Sequence, residues 1–526
     1  MPSLIRLKNL FGLGKKLREI PPPPPPLPIP KGYKIIERNS LYEPFAHAVI
    51  TQNPSTGEYK YILDELHLDP FERGVYERLL EILLAEIQSP REEIKDTRDF
   101  FDTEAKKIIE KYRISLGWLP NVSWSKILYH VERDIIGFSQ IDALMRDSNI
   151  EDISCDGVNR PVYIWHRKYE NLETNLVFHE DQELDDLIGK LVHMSGKHVS
   201  SAFPITDASL PGKHRLAVCY RREVTPFGTT FTIRKFREDP YSIIDLINLG
   251  TLSEEIAAYF WLCLDNRASI MVLGGTAAGK TTALNALACL IKPGSKIVTI
   301  EETAELNLPH ENWVSLISRQ SYGLGENRSG EVSLFDLVKA SMRHRPDYLV
   351  VGEVRGNEAY VLFQALATGH GGMCTMHAEN IDSAVKRLTS KPMDIAPSYI
   401  PLMNILAIIQ RVHLPEAGEM KAYRRITSVE EVSDYEDYKG VFRWRPAQDD
   451  FNSSIDKGRM LPTMSERLGV DQQDLIEEME RRKNVLSWMR KHNIRSYRDV
   501  AAIITEYYSR PKQFYEKKVE AVAPAK

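Results

Sequence analysis

Gly274-Gly275-Thr276-Ala277-Ala278-Gly279-Lys280-Thr281-Thr282 is the stretch that decides the fold. It satisfies the pattern GxxxxGK[ST] and stands between an apolar run, SIMVLGG (269–275), and a helical one, KTTALNALACLI (280–291). Glycines let successive backbone N–H groups curl around phosphate oxygens, and the N-terminus of the following helix favours the same anion. In that setting Lys280 is expected to reach the β- and γ-phosphates of a nucleotide, and the Thr281 hydroxyl to ligate Mg²⁺. The stretch reads as a phosphate-binding loop (P-loop).

Further short apolar runs lie downstream, KIVTIEE (296–302), DYLVVGE (347–353) and GMCTMH (372–377), separated by helical or loop segments. Apolar strands alternating with helices predict a mostly parallel sheet covered on both faces. Phosphate hydrolysis needs carboxylates near the loop, and two strands end in them: Glu301 and Glu302 on one, Glu353 on the other. Gly352 stands where a metal-binding Asp is usual, so Glu353 is expected to hold a Mg²⁺-bound water. Thr368-Gly369-His370-Gly371-Gly372 and the strand-end His377 suit a γ-phosphate sensor, since imidazole can donate to phosphate and glycines permit close approach; a metal pair is the alternative, although no third ligand cluster accompanies it. Further on, AYRRITSVEEV returning as GVFRWRP predicts a hairpin, and the chain ends in charged helical segments.

Upstream, the first twenty residues mix Leu, Ile and Phe with five Lys or Arg, followed by an unbroken proline run from Pro21 to Pro26. The basic amphipathic segment suits an anionic membrane surface, the alternative being a solvated terminus. The prolines predict a polyproline II spacer. Helical periodicity in LHLDPFERGVYERLLEILLAEI and FFDTEAKKIIEKYRISLG predicts a small helical domain, and the mixed pattern after residue 123 a small α/β domain. The expected organisation is therefore a leader and spacer (1–44), a helical domain (45–122), an α/β domain (123–237), a linker (238–254), the P-loop domain (255–446) and a C-terminal helical region (447–526).

Composition bounds the rest. The 526 residues are 43% hydrophobic and 27% charged, which excludes wholesale disorder and predicts several domains at roughly 150 residues each. Lys and Arg number 68 against 73 Asp and Glu, too balanced for global affinity to nucleic acid. No 18 apolar residues run together, so no membrane-spanning helix is expected. Five scattered cysteines form no CxxC, which argues against a disulfide framework and for a reducing compartment.

Four boxes in order give the chain a specific resemblance: GGTAAGKTT, the acidic TIEETAEL (299–306), PDYLVVGEVRG (346–356) and TGHGGMCTMHAEN (368–380). With EDISCDG (151–157), DASLPGKHR (207–215) and FTIRKF (231–236) upstream, it resembles the type II/type IV secretion and pilus ATPases, in particular their archaeal assembly branch, over about residues 130–415. The resemblance implies an α/β fold, a RecA-like P-loop NTPase domain preceded by a smaller α/β domain. It implies a Mg²⁺-dependent ATPase that works as a homohexamer on the cytoplasmic side of a membrane. Its partners would be a polytopic platform protein and, indirectly, pilin-like or secreted substrates. Carried over by position, Glu301 is the base or water-orienting residue, with Glu302 where Asp is usual. Glu353 is the Walker B carboxylate, His377 the His-box sensor, and Arg215 and Arg234 candidate arginine fingers. Arg343, Arg345 and Arg355 are expected to form subunit or intradomain pairs. The absence of a four-cysteine insertion and of an AIRNLIRE-like helix favours the archaeal branch. A RecA-like nucleic-acid translocase of a DNA-transfer system is the alternative, although no Lys/Arg cluster in 255–400 supports it.

Overall fold

The computed structural model describes residues 29–86, 97–112, 119–237, 239–319, 330–416 and 419–519. They form two compact units that divide between Phe236 and Arg237. The leader and the Pro21–Pro26 tract lie outside the described residues.

The first unit is organised by one nine-stranded sheet in the order β1-β2-β3-β6-β5-β4-β9-β8-β7. Its strands are β1 (Lys34–Tyr42), β2 (Ala46–Gln52), β3 (Tyr59–Glu65), β4 (Ile150–Cys155), β5 (Pro161–His166), β6 (Glu170–Val177), β7 (Ile205–Ser209), β8 (Arg215–Cys219) and β9 (Thr230–Arg234). All neighbours are antiparallel except β3 and β6, which meet in parallel at Lys60–Glu173 and Tyr61–Thr174. Two expectations are corrected here. The spacer expected through residue 44 contains β1, and the 45–122 segment opens with strands. β2 and β3 are rich in Val, Ile and Tyr and flank Asn53-Pro54-Ser55-Thr56-Gly57, where Gly57 takes φ +75° in the turn. Helical periodicity holds only from Pro70. The helices Pro70–Glu86, Thr97–Lys111 and Asn121–Ile135 share a core of Val75, Leu79, Leu83, Ile108, Trp124, Ile127 and Val131, so the helical cluster also crosses the expected boundary at 122/123.

The second unit contains another nine-stranded sheet, ordered β12-β11-β13-β14-β10-β15-β16-β17-β18. These strands are β10 (Ile270–Gly274), β11 (Ile297–Glu301), β12 (Trp313–Ile317), β13 (Tyr348–Val351), β14 (Gly371–His377), β15 (Ile405–Glu416), β16 (Glu419–Asp434), β17 (Asp437–Arg445) and β18 (Asp450–Ser453). The six from β12 to β15 run parallel, and β15 to β18 form an antiparallel meander containing the expected hairpin. Every residue of β10, β11 and β13 is buried, as apolar strands covered on both faces require.

Two more boundaries are corrected by packing. Residues 243–248, expected in a linker, form a helix whose Ser242–Asp245 capping box closes its first turn. Ile243, Ile244, Leu246 and Ile247 are buried in the core of the second unit, because an apolar face of that size needs cover. The C-terminal helices share this core: Leu475, Met479, Leu486, Ile504 and Tyr507 cluster with Tyr259, Phe260 and Trp261 of the helix Glu254–Asp265. Between them Arg482, with a side chain 5% exposed, donates to Asp265 at 2.9 Å, to Glu478 at 2.8 Å and to the Trp261 carbonyl at 3.1 Å. The tail is thus an integral layer of the second unit.

Candidate functional site

Parallel strands bring their carboxyl ends to one edge, and that edge collects the acidic and His-box residues beside the loop. Gly274 ends β10 and is register partner of His377, which ends β14. Glu301 ends β11, and Glu353 follows β13 by two residues. A chain crossing from a strand into a helix beside such an edge is where α/β sheets bind ligands.

The loop from Gly275 to Gly279 turns with left-handed backbone at Ala277 (φ +58°) and Gly279 (φ +92°), and the helix Lys280–Ala288 begins immediately after. A Cβ on Gly274 would come within 2.5 Å of the Ile409 carbonyl, so β15 packs too closely for any side chain there. Lys280 Nζ donates to the Gly275 carbonyl at 2.9 Å, folding the lysine back over the loop. Burial lowers its pKa, opposed by the nearby Glu353 carboxylate. Thr281 and Thr282 are half-buried in the first helical turn, Ala278 is buried, and Thr276 and Ala277 face solvent.

His377 is joined to the loop by a 2.9 Å hydrogen bond between its Nε2 and Thr276 Oγ1, and its carbonyl accepts from Arg387. His370 stands apart from it. It precedes β14, a seven-residue strand spanning roughly 20 Å. Its Nδ1 lies 3.1 Å from the Ala365 carbonyl and 3.0 Å from Thr368 Oγ1, at the end of a helix. Two of the neighbouring glycines make room for packed side chains. A Cβ on Gly371 would meet the Tyr348 ring at 2.6 Å, and one on Gly372 would meet Leu366 at 2.3 Å. Only His377 of the two histidines reaches the loop.

The carboxylates divide into two environments. Glu301 is 3% exposed, and its Oε1 accepts from the backbone N–H groups of Glu305 and Leu306, each at 2.9 Å. Glu302 and Glu353 are reached by solvent and share Arg355, which lies 2.5 Å from Glu353 and 3.5 Å from Glu302. Arg355 is therefore an intradomain pair, one of the outcomes expected of it, and bridging to Glu353 raises its pKa. Gly352 has a steric reason. A Cβ there would stand 3.2 Å from Glu301 Cγ, so any side chain at 352 asks the stem of Glu301 to give by a few tenths of an ångström.

Arg215 and Arg234 lie in the first unit, directly opposite each other on β8 and β9. Arg234 pairs with Asp152 at 3.1 Å, and Arg215 stands 3.9 Å from Asp207. The structure thus brings the two arginines together on one sheet, which their spacing in sequence did not reveal. Arg424 is a further residue at the loop. Its Nε donates to the Ala277 carbonyl at 3.2 Å from β16, and no motif in the sequence links position 424 to the loop.

The fold and this edge define a P-loop nucleotide-binding protein of the parallel-sheet α/β class. A family model described as type II/IV secretion system protein matches residues 139–506, and the chain belongs to that family. It is 37% identical over 400 residues to an uncharacterized protein of Methanocaldococcus jannaschii, covering 73% of this chain and 70% of that one. It is 30% identical over 249 residues to conjugal transfer protein TrbB of Rhizobium radiobacter, covering 46% of this chain and 73% of that one. Among solved structures, the pilus retraction motor PilT with bound ADP is 20% identical with a TM-score of 0.36, over 52% of this chain and 78% of that one. Among the described residues no helix is long and apolar enough to cross a membrane.

Proposed function

We propose that the chain is a Mg²⁺-dependent ATPase that works as a homohexamer on the cytoplasmic side of a membrane. It would be peripherally attached there and act through a polytopic platform protein to assemble pilus-like filaments or export protein. The observation that carries this reading is the single sheet edge where the P-loop, Glu301, Glu353 and His377 meet. Membership of the secretion family supports the cellular role.

Thr281 and Glu353 supply hard oxygen donors of the kind Mg²⁺ prefers, a hydroxyl directly and a carboxylate through water, and among the described residues no three-ligand cage competes with them. Bound there, Mg²⁺ would neutralise charge on the phosphate oxygens. The chain's own residues do the rest. Backbone N–H groups from Gly275 to Thr282 cradle the phosphates, and Lys280 extends from its resting bond to Gly275 toward the β- and γ-positions. Glu301, held by two amides, orients the attacking water and takes its proton. His377, on the loop through Thr276, exchanges that bond for the γ-phosphate and so reports its loss. Arg215 and Arg234 are arginine-finger candidates for charge developing at the γ-phosphoryl group. The similarity to TrbB keeps a role in conjugal transfer as the second reading.

Phosphate release from ATP by the purified chain tests the proposal. Turnover should need Mg²⁺ and disappear in Lys280→Ala together with nucleotide binding, whereas Glu353→Gln should bind ATP and fail to cleave it. An intact chain without turnover, at high protein concentration and with anionic lipid vesicles present, would refute it. Stimulation by DNA instead of by lipid or platform protein would favour the second reading.

A further inference from the structure

One face of the first sheet is packed and the other is open. Ile153, Ile164 and Leu172 share a core with Leu184, Leu187 and Leu191 of the helix Asp181–Met194. Strand alternation puts Tyr163 and Trp165 of β5 on the opposite face, roughly 7 Å apart along the strand. Glu173 and Asn171 of β6 stand directly across from them, and Ser154 of β4 flanks Tyr163 on its other side. Tyr163, Asn171 and Ser154 line a depression of about 500 Å³ with Asp156, Arg160 and Pro161. The two aromatic side chains are half-buried and Asn171 is exposed. The Tyr163 hydroxyl, the Trp165 indole N–H and the Asn171 amide have no hydrogen-bond partner among the described residues.

Aromatic rings beside spare donors match the needs of a polyproline II segment, whose rings stack and whose carbonyls have no internal partners. This chain carries such a segment in Pro21–Pro26, Pro28 and Pro30. The residues that follow it are anchored beside the open face. The Tyr33 N–H donates to the Pro30 carbonyl at 3.0 Å, and the Tyr33 hydroxyl donates to Glu58 at 2.8 Å. Lys60 in turn reaches Glu173 at 2.9 Å. Lys60 and Glu173 are register partners on parallel strands, so Glu58 is about level with Asn171. Trp165 then lies two strand spacings from Glu58, roughly 10 Å. The seven residues from Pro26 to Tyr33 can span roughly 22 Å, more than enough.

We propose that the proline tract docks within its own chain on the open face of β5 and β6. Its rings lie against Tyr163 and Trp165, and its carbonyls accept from the Tyr163, Trp165 and Asn171 donors. Docking there holds the basic leader against the first unit. A short tether gives an effective concentration on the order of millimolar, enough to maintain a contact too weak to persist between separate molecules.

A fluorescein-labelled peptide of residues 19–30 (EIPPPPPPLPIP), titrated by anisotropy against the full-length chain, tests it. The unaltered chain should bind the peptide poorly, because its own tract fills the site. Replacing Pro21 to Pro26 by serine should free the site and tighten peptide binding at least roughly tenfold. Adding Trp165→Ala or Asn171→Ala to the serine chain should weaken binding again by a similar factor. Asn171 is exposed, so that variant should keep its Tm even if Trp165→Ala does not. Phe71→Ala, at an exposed aromatic on the helix Pro70–Glu86, should change nothing. Equal affinity for the unaltered and serine chains would overturn docking within the chain and assign the face to a proline-rich segment of another protein. No binding to the serine chain, or binding that Asn171→Ala and a folded Trp165→Ala leave unchanged, would overturn the site itself.

Discussion

Placing the usual Walker B aspartate at position 352 should damage the protein. The prediction follows from the 3.2 Å between a Cβ at 352 and Glu301 Cγ, with the Ile300 carbonyl at 3.6 Å. Gly352→Ala asks Glu301 to shift by a few tenths of an ångström and should cost under about 1 kcal/mol. Gly352→Asp adds a second carboxylate beside Glu301, which is 3% exposed and already holds its charge between two backbone amides. Burying an uncompensated charge costs about 3 kcal/mol or more. For a unit of this size that corresponds to a fall in Tm of roughly 6 °C. Scanning fluorimetry of the full chain measures it, and Glu301→Ala in the Gly352→Asp background separates the cause. Removing the Glu301 stem opens the space and deletes the like charge, so the double variant should be more stable than additivity predicts by at least about 1 kcal/mol. A Gly352→Asp protein that melts with the wild type, or a double variant whose losses simply add, would refute the steric account.

Truncation at Arg482 should be among the most damaging changes in the C-terminal helices: Arg482→Ala takes from Asp265 its 2.9 Å partner, while Glu478 keeps Arg481, and should cost about 3 kcal/mol, with Arg482→Met milder, both read from Tm. His377→Ala should keep the fold and nucleotide binding but lower turnover at least tenfold, whereas His370→Ala, which cannot reach the loop, should leave turnover per folded molecule unchanged. Glu301→Gln should abolish turnover with mant-ADP affinity retained, while Glu302→Gln should leave a measurable rate; the reverse order would transfer the water-orienting role to Glu302. In the first unit, burial and the Lys235 charge push the His214 pKa from its ordinary value down to about 4, and its Nδ1 accepts from the Phe236 amide. A folded-state pKa below the unfolded one means that stability is present above about pH 6.5 and lost as pH falls toward 4, so His214→Gln should flatten that acid limb in thermal melts.

What the sequence carried best was the parallel half of the second sheet. A buried parallel strand is a short unbroken apolar run, so β10, β11, β13 and β14 announce themselves, and their polar terminal residues mark the carboxyl edge. The early strands were hidden for the opposite reason. AHAVITQ and YKYILDE mix polar and apolar residues without a clean alternation, and the helical run from Pro70 is the stronger periodic signal beside them. Pro240 and Gly250 bracket the segment 243–248 and make it read as a linker, yet it is buried among the helices Glu254–Asp265 and Lys280–Ala288 and the distant C-terminal helices.

At the site, residues inside motifs were legible and residues that answer them from elsewhere were not. Gly371 and Gly372 look identical to phosphate-facing glycines in sequence, but one makes room for Tyr348 and the other for Leu366, and only three dimensions distinguish the cases. Gly352 reads in sequence as a missing metal ligand, and in the fold it also leaves room for the Glu301 side chain. Arg424 carries the same lesson outward. It contacts the loop from a strand nearly 150 residues away, with nothing local to mark it. Loop chemistry is written in contiguous residues because a backbone turn must be built from neighbours. The charges that respond to its ligand need only arrive in the same place, so the fold, through the register of β15 on β10 and of β16 on β15, is what selects them.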